Sequence, residues 1–247
     1  MGTVDKWFEY DWRVEGIPAL FGVDLSLADC MPYDANPYMF FISCMSKDGA
    51  PLTNGQLFSV QRLNKKIQRI LPLYAGNIGT PDQQQLYFYG SEPGMLDELT
   101  GLCAAQKRII CRAGRLTEPT WQTYFDLLYP DAAKFQTEQN REMLDFYKKK
   151  GDAMLAPRRI SLHMFFPAEP LLLQFTEQAR LSGFAAGKNE YAAESELPYG
   201  ASLYSICSLK KIDIDKLTTR VIRIAEKYDG KLVHWSCQLV RKKPPLS

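Results

Sequence analysis

Two histidines, His163 and His234, and six cysteines are the only imidazoles and thiols in the chain, so nucleophilic and metal chemistry have few places to arise. Each histidine sits in an alternating run: Ile160, Leu162, Met164 and Phe166 mark the core face of one strand, and Val233, Trp235, Cys237 and Leu239 that of another. Successive side chains of a strand point to opposite faces, which sends both imidazoles away from the core. If the two strands are neighbours, the rings meet. A mononuclear metal centre would need further ligands, and Ser161, Ser236 and Gln238 are poor ones, so no metal and no cofactor is expected. Cys237 lies at an odd spacing from His234 and falls on the opposite face, which argues against a thiol–imidazole pair. Glu194 and Glu196 flank Ser195 in a loop and read as a solvated acidic segment. The chain has no GxSxG, GxxxxGK[ST], HExxH or strand-following GxGxxG motif. No catalytic residue is assigned, and the expectation is a protein without enzymatic activity.

The elements that must position these residues repeat. From Tyr38 to Leu116, and again from Arg158 to Arg241, the pattern reads strand, helix, strand, strand, helix, strand. This predicts an α+β chain of two tandem ferredoxin-like βαββαβ sandwiches, each an antiparallel sheet with helices on one face and the other face free. An N-terminal hairpin about Glu15-Gly16 precedes the first sandwich. The strand from Tyr38 to Met45 is apolar on both faces, so something must cover its sheet twice: the hairpin, the connecting helix or the other domain. Thr53 or Asn54 caps a helix carrying Leu57, Val60, Leu63, Ile67 and Ile70. Trp121 to Tyr129 is aromatic-rich and suits packing between domains. Pro130-Asp131 opens a connecting helix that ends at Lys148-Lys149-Lys150 before Gly151, as a dipole-matched terminus should. Residues 151–157 read as the linker, giving domains 1–150 and 151–247. In the second domain Leu171, Leu172, Phe175 and Ala179 mark one helix, Leu217, Val221, Ile224 and Tyr228 the other, and Glu190 to Pro198 form an acidic loop between the middle strands.

Composition narrows the function classes. With 247 residues, 46% hydrophobic and 23% charged, the chain can fill two cores. Its formal charge of +2 leaves no global field for nucleic acid or an acidic membrane. The third strand of the second domain lacks the basic, aromatic string of RNA-recognition modules, so direct nucleic-acid binding is not expected. The cysteines, Cys30, Cys44, Cys103, Cys111, Cys207 and Cys237, show no CxxC and read as reduced, mostly buried thiols of a cytoplasmic protein. The opening MGTVDKWFEYDW has no basic segment before an apolar run, and no stretch is long and apolar enough to span a membrane. The tail Arg241-Lys242-Lys243-Pro244-Pro245 is expected to fray.

Particular segments carry a family likeness. Arg158 to Phe166, Leu197-Pro198-Tyr199-Gly200, and Ile224 to Gly230 followed by Trp235-Ser236-Cys237 resemble the regulator of ribonuclease E activity B (RraB) family. In place of that family's Tyr-Asp-Gly-Trp in the last strand the chain has Leu232-Val233-His234-Trp235. Leu52-Thr53-Asn54, Arg62-Leu63-Asn64, Tyr87-Phe88-Tyr89, Trp121, Tyr124-Phe125-Asp126, Leu128-Tyr129-Pro130 and Asn140-Arg141 resemble the bacterial domain of unknown function 695. The first resemblance implies a bacterial, non-catalytic regulator that binds an endoribonuclease, RNase E in that family. Under that reading Glu190, Glu194, Glu196, His163, His234 and Tyr204 form the protein-binding set, the acidic groups steering a basic partner. The alternative is a small-molecule sensor or enzyme with a site at the seam between domains, lined by Tyr87, Tyr89, Trp121, Tyr124 and Asn140. Neither composition nor motif sets the oligomeric state.

Overall fold

The computed structural model describes residues 6–29 and 32–241. Cys30 and the tail beyond Arg241 lie outside them. The chain is α+β and divides into two compact units, Met1–Pro130 and Asp131–Ser247.

The first unit contains β1 (Trp7–Val14), β2 (Ile17–Asp24), β3 (Tyr38–Met45), α1 (Asn54–Ile67), β4 (Leu73–Gly79), β5 (Gln83–Gly90), α2 (Met95–Ala104) and β6 (Ile110–Thr117). Its antiparallel sheet runs β1-β2-β4-β5-β3-β6. The hairpin β1–β2 turns at Glu15-Gly16 and lengthens the sheet by pairing β2 with β4. Thr53 starts α1 with a reciprocal capping box to Gln56, which satisfies two donors of the first turn. On one face of the sheet Val60, Leu63 and Ile67 of α1 and Leu99 and Cys103 of α2 pack on Phe40, Ile42, Cys44, Leu86 and Phe88.

The other face is closed from within the same unit. Met39, Tyr87 and Tyr89, the alternate residues of β3 and β5, pack with Tyr10, Phe21 and Val23 beneath Trp121, Tyr124 and Leu128. The aromatic segment expected to pack between domains therefore belongs to the first core. It crosses the sheet as a single π-helical turn, Thr123–Leu128, closed by Tyr129 N–H donating to the Tyr124 carbonyl at 2.7 Å.

The second unit begins earlier than expected. Its first element is α3 (Ala132–Lys149), followed by β7 (Arg158–Phe166), α4 (Glu169–Leu181), β8 (Ala185–Tyr191), β9 (Tyr199–Cys207), α5 (Lys211–Ala225) and β10 (Lys231–Cys237). The division between Pro130 and Asp131 replaces the expected break at 150/151 because α3 packs on α5. Asn140 of α3, fully buried, donates to Asp215 and Thr218 of α5 at 2.9 and 2.8 Å. Its oxygen accepts from Gln136 and, at 2.8 Å, from the Trp235 indole of β10. All four hydrogen-bonding positions of the amide are filled.

Residues 151–157 are pinned and do not act as a loose linker. Buried Asp152 takes Arg158 Nη1 at 2.6 Å and the Val240 amide at 2.8 Å, and Arg158 also donates to the Ala153 and Ala156 carbonyls. The four strands run β10-β7-β9-β8, all antiparallel. Leu172, Phe175 and Ala179 of α4 and Ile214, Leu217 and Val221 of α5 are buried on the side of Ile160, Leu162, Met164 and Phe166. At the outer edge Tyr147 of α3 closes the last rung of β10: its hydroxyl donates to the Cys237 carbonyl at 2.8 Å and accepts from the Cys237 amide at 3.1 Å.

The last strand departs from its expected pattern. A bulge falls between Leu232 and His234, so Leu232 opposes the core residue Met164 while Val233 is 55% exposed. Trp235 stays buried, and Leu239 lies beyond the strand, 40% exposed. Val233 and Leu239 are thus not core residues.

Candidate protein-binding face

The sheet of the second unit turns its odd-numbered β7 residues away from the helices. Arg159, Ser161, His163 and Phe165 lie there, opposite Ile206, Tyr204, Ser202 and Gly200 of β9 in that order. On the other flank Ser161, His163 and Phe165 face Ser236, His234 and Lys231 of β10. Glu190 of β8 is opposite Gly200.

His163 and His234 are direct cross-strand partners, their rings stacked with centroids 4.2 Å apart and 12° between planes. His163 Nδ1 lies 3.4 Å from the Ser202 hydroxyl. Stacked imidazoles meet face to face, which does not converge their nitrogens on a common ion. Among the described residues no group of three His, Cys, Asp or Glu side chains is arranged to hold a metal. Partial burial lowers the His234 pKa, and the charge of His163 lowers it further, against an opposing pull from Glu190. His234 is therefore neutral at neutral pH.

One strand over, the Arg159 guanidinium lies over the Tyr204 ring, 3.4 Å from its centroid. This cation–π contact spreads a flat positive surface across the sheet. Two glycines leave room for the large side chains. A methyl group at Gly187 would come within 2.6 Å of the Tyr204 hydroxyl, and one at Gly200 would strike Glu190 and come within 3.0 Å of Phe165. Ile206, 75% exposed, adds apolar surface at the end of the face.

Beyond β8 the chain turns through residues 192–198. Glu190 belongs to β8 and not to the loop, while Glu194 and Glu196 lie in the turn, and all three are exposed. Around the β10 edge, Val233, His234 and Trp235 border a groove of about 500 Å³ whose opposite wall is Gln136, Met143 and Phe146 of α3. Phe146 is 51% exposed.

Of the predicted protein-binding set, the structure gathers His163, His234, Tyr204 and Glu190 on one sheet face and leaves Glu194 and Glu196 in the adjoining turn. The predicted pocket residues have other duties. Trp121 stacks on Tyr89 with centroids 4.0 Å apart and donates to the Tyr33 and Asn36 carbonyls. The Tyr89 hydroxyl donates to Glu118 at 2.6 Å and accepts the Tyr124 amide, and Tyr124 donates to the Asp24 carbonyl. Tyr87 is buried and bonded to Gln85, with burial raising its phenol to about 12. Asn140 holds α3 to α5. These five side chains are interior or fully engaged.

Sequence reasoning missed Arg159, Val233 and Phe146. The parity that placed His163 on the bare face also placed Arg159 there, so that residue was within reach; a bulge carries no comparable signature.

Residues 5–129 match the model of a family of unknown function, DUF695. The chain belongs to that family. Residues 137–237 match the family described as regulator of ribonuclease activity B. This second match opens inside α3 and ends on the last residue of β10, so it takes in a helix whose sequence pattern reads as a connection belonging to the first domain. Among curated proteins none matches the chain. Among the described residues no helix is long and apolar enough to cross a membrane.

Proposed function

We propose that this protein is a non-catalytic cytoplasmic regulator that binds a ribonuclease through the bare sheet face of its second unit. The strand orders β4-β5-β3-β6 and β10-β7-β9-β8 are what two tandem ferredoxin-like sandwiches require. In the second unit the helices occupy one face, and the other is left for a partner. The observation that carries the reading is that face itself, where Arg159–Tyr204 and His163–His234 stack side by side with Phe165 and Ile206. It presents aromatic and guanidinium surface, the composition typical of binding hot spots. It also lies inside the stretch that matches a ribonuclease regulator. Glu190, Glu194 and Glu196 at its margin supply the charge that would orient a basic segment of the partner.

Affinity capture from cells of the source organism, read by mass spectrometry, tests this. Wild-type protein is expected to retain a ribonuclease and to slow its turnover of RNA when added to the purified enzyme. Tyr204→Ala together with Arg159→Ala should lose the partner while the protein stays folded. Replacing Glu190, Glu194 and Glu196 by Lys should weaken capture in a salt-dependent manner. An unchanged partner list in both variants would place the docking surface elsewhere.

A further inference from the structure

Three thiols from three elements of the first unit converge beside its helix-covered core: Cys44 on β3, Cys103 on α2 and Cys111 on β6. Cys44 and Cys111 are direct cross-strand partners, with Sγ atoms 3.1 Å apart. Cys103 lies on the helix above, near enough to Cys111 to influence its thiol. Cys44 and Cys103 are buried, whereas Cys111 lies half-buried on the edge strand. Directly opposed residues of an antiparallel pair have Cα atoms about 4.5 or 5.5 Å apart, depending on the pair type. Both values fall in the window of about 4.4–6.8 Å that a disulfide spans, so closing this pair needs no backbone movement.

We propose that Cys44 and Cys111 form a redox site that a hydroperoxide closes into a cross-strand disulfide, Cys111 reacting first. The Cys111 sulfur attacks one peroxide oxygen, the O–O bond breaks, and the other oxygen leaves as alcohol or water with the thiol proton. Cys111 is then a sulfenic acid. The Cys44 sulfur displaces its hydroxyl, which departs as water with the Cys44 proton, and the S–S bond forms. The two cysteines lose two electrons and the peroxide gains them.

The surroundings set the order and the pace. Cys111 is the thiol that solvent reaches, and neighbouring Cys103 favours its thiolate. The bond with Cys44 and burial outweigh that help and push the Cys111 thiol up to about 12. Since the thiolate is the nucleophile, the first step is slow at neutral pH and speeds up about tenfold with each unit that the pH rises toward that value.

Full-length protein treated with hydrogen peroxide between about pH 7 and 9, then alkylated and digested without reductant, tests the proposal. The expected product is a Cys44–Cys111 peptide pair about 2 Da lighter than its two free peptides. Its yield should climb with pH, and dithiothreitol should remove it. Cys103→Ala should still form the link, more slowly. Cys44→Ala should convert Cys111 to sulfinic acid instead. If Cys44→Ala does not fold, Cys111→Ser on the edge strand removes the same link, and circular dichroism verifies its fold. No linked pair from folded protein, or a link made through Cys103 in place of Cys44, would overturn the proposal.

Discussion

The two units share a strand order and a helix-covered face but treat the remaining face in opposite ways. In the first, residues 118–129 return across the sheet and fill it with Trp121, Tyr124 and Leu128, locked by the buried Glu118 carboxylate to Tyr89 and Thr123. In the second, no such segment follows β10 among the described residues, and the corresponding face carries stacked histidines, a guanidinium on a tyrosine and an exposed isoleucine. Where the chain covers its own sheet, aromatic residues stabilise the fold. Where it does not, the same residue types stay at the surface, on the face proposed above to bind a partner.

The sharpest way to break this contrast is to remove its two aromatic anchors in turn. Trp121→Ala deletes a fully buried ring and both its hydrogen bonds, with an expected loss of about 3–5 kcal/mol in urea unfolding. Tyr204→Ala removes a half-buried ring on the bare face and should cost under about 1 kcal/mol. Equal losses would mean that the second face is as much a core as the first. Next in size is Asn140→Leu, which strands the Trp235 indole N–H and frees Asp215 and Thr218 from their amide. A destabilisation of about 2–3 kcal/mol is expected, reported by the Trp235 fluorescence transition.

Smaller effects sharpen the contrast without unfolding anything. The charge reversal at Glu190, Glu194 and Glu196 should weaken partner capture about tenfold or more. Stability should move by less than about 0.5 kcal/mol. The smallest effect lies in the stacked pair. His234 should titrate below the ordinary value of 6.5, followed by its ring-proton NMR shifts. His163→Gln should move its midpoint up, and Glu190→Gln should move it further down. Because folding depresses this pKa, its contribution to stability is complete above pH 6.5 and is lost as pH falls through the folded midpoint.

Much of this was legible in the sequence wherever apolar residues kept a strict period. Alternation in β7 and the expected neighbouring of first and last strands brought His163 to His234, and helical spacing placed α4 over Leu172, Phe175 and Ala179. The allegiance of α3 was hidden because it buries polar residues, Gln136, Thr137 and Asn140, that a hydrophobic pattern counts as exposed. The Trp121 segment was visible as an anchor, yet nothing in its composition said which surface it grips. The bulge at Val233 escaped because one extra residue turns Val233 outward and Leu232 toward the core, against the alternation read from His234 onward, without changing residue types.

Tyr147 has a consequence for how copies of this protein meet. Edge strands with unpaired amides and carbonyls invite other chains to add on, and β10 is such an edge. With the Cys237 rung already taken by a phenol from the same molecule, an approaching strand finds that step of the ladder occupied. A strand adding along β10 would therefore have to stop short of this rung or displace the phenol.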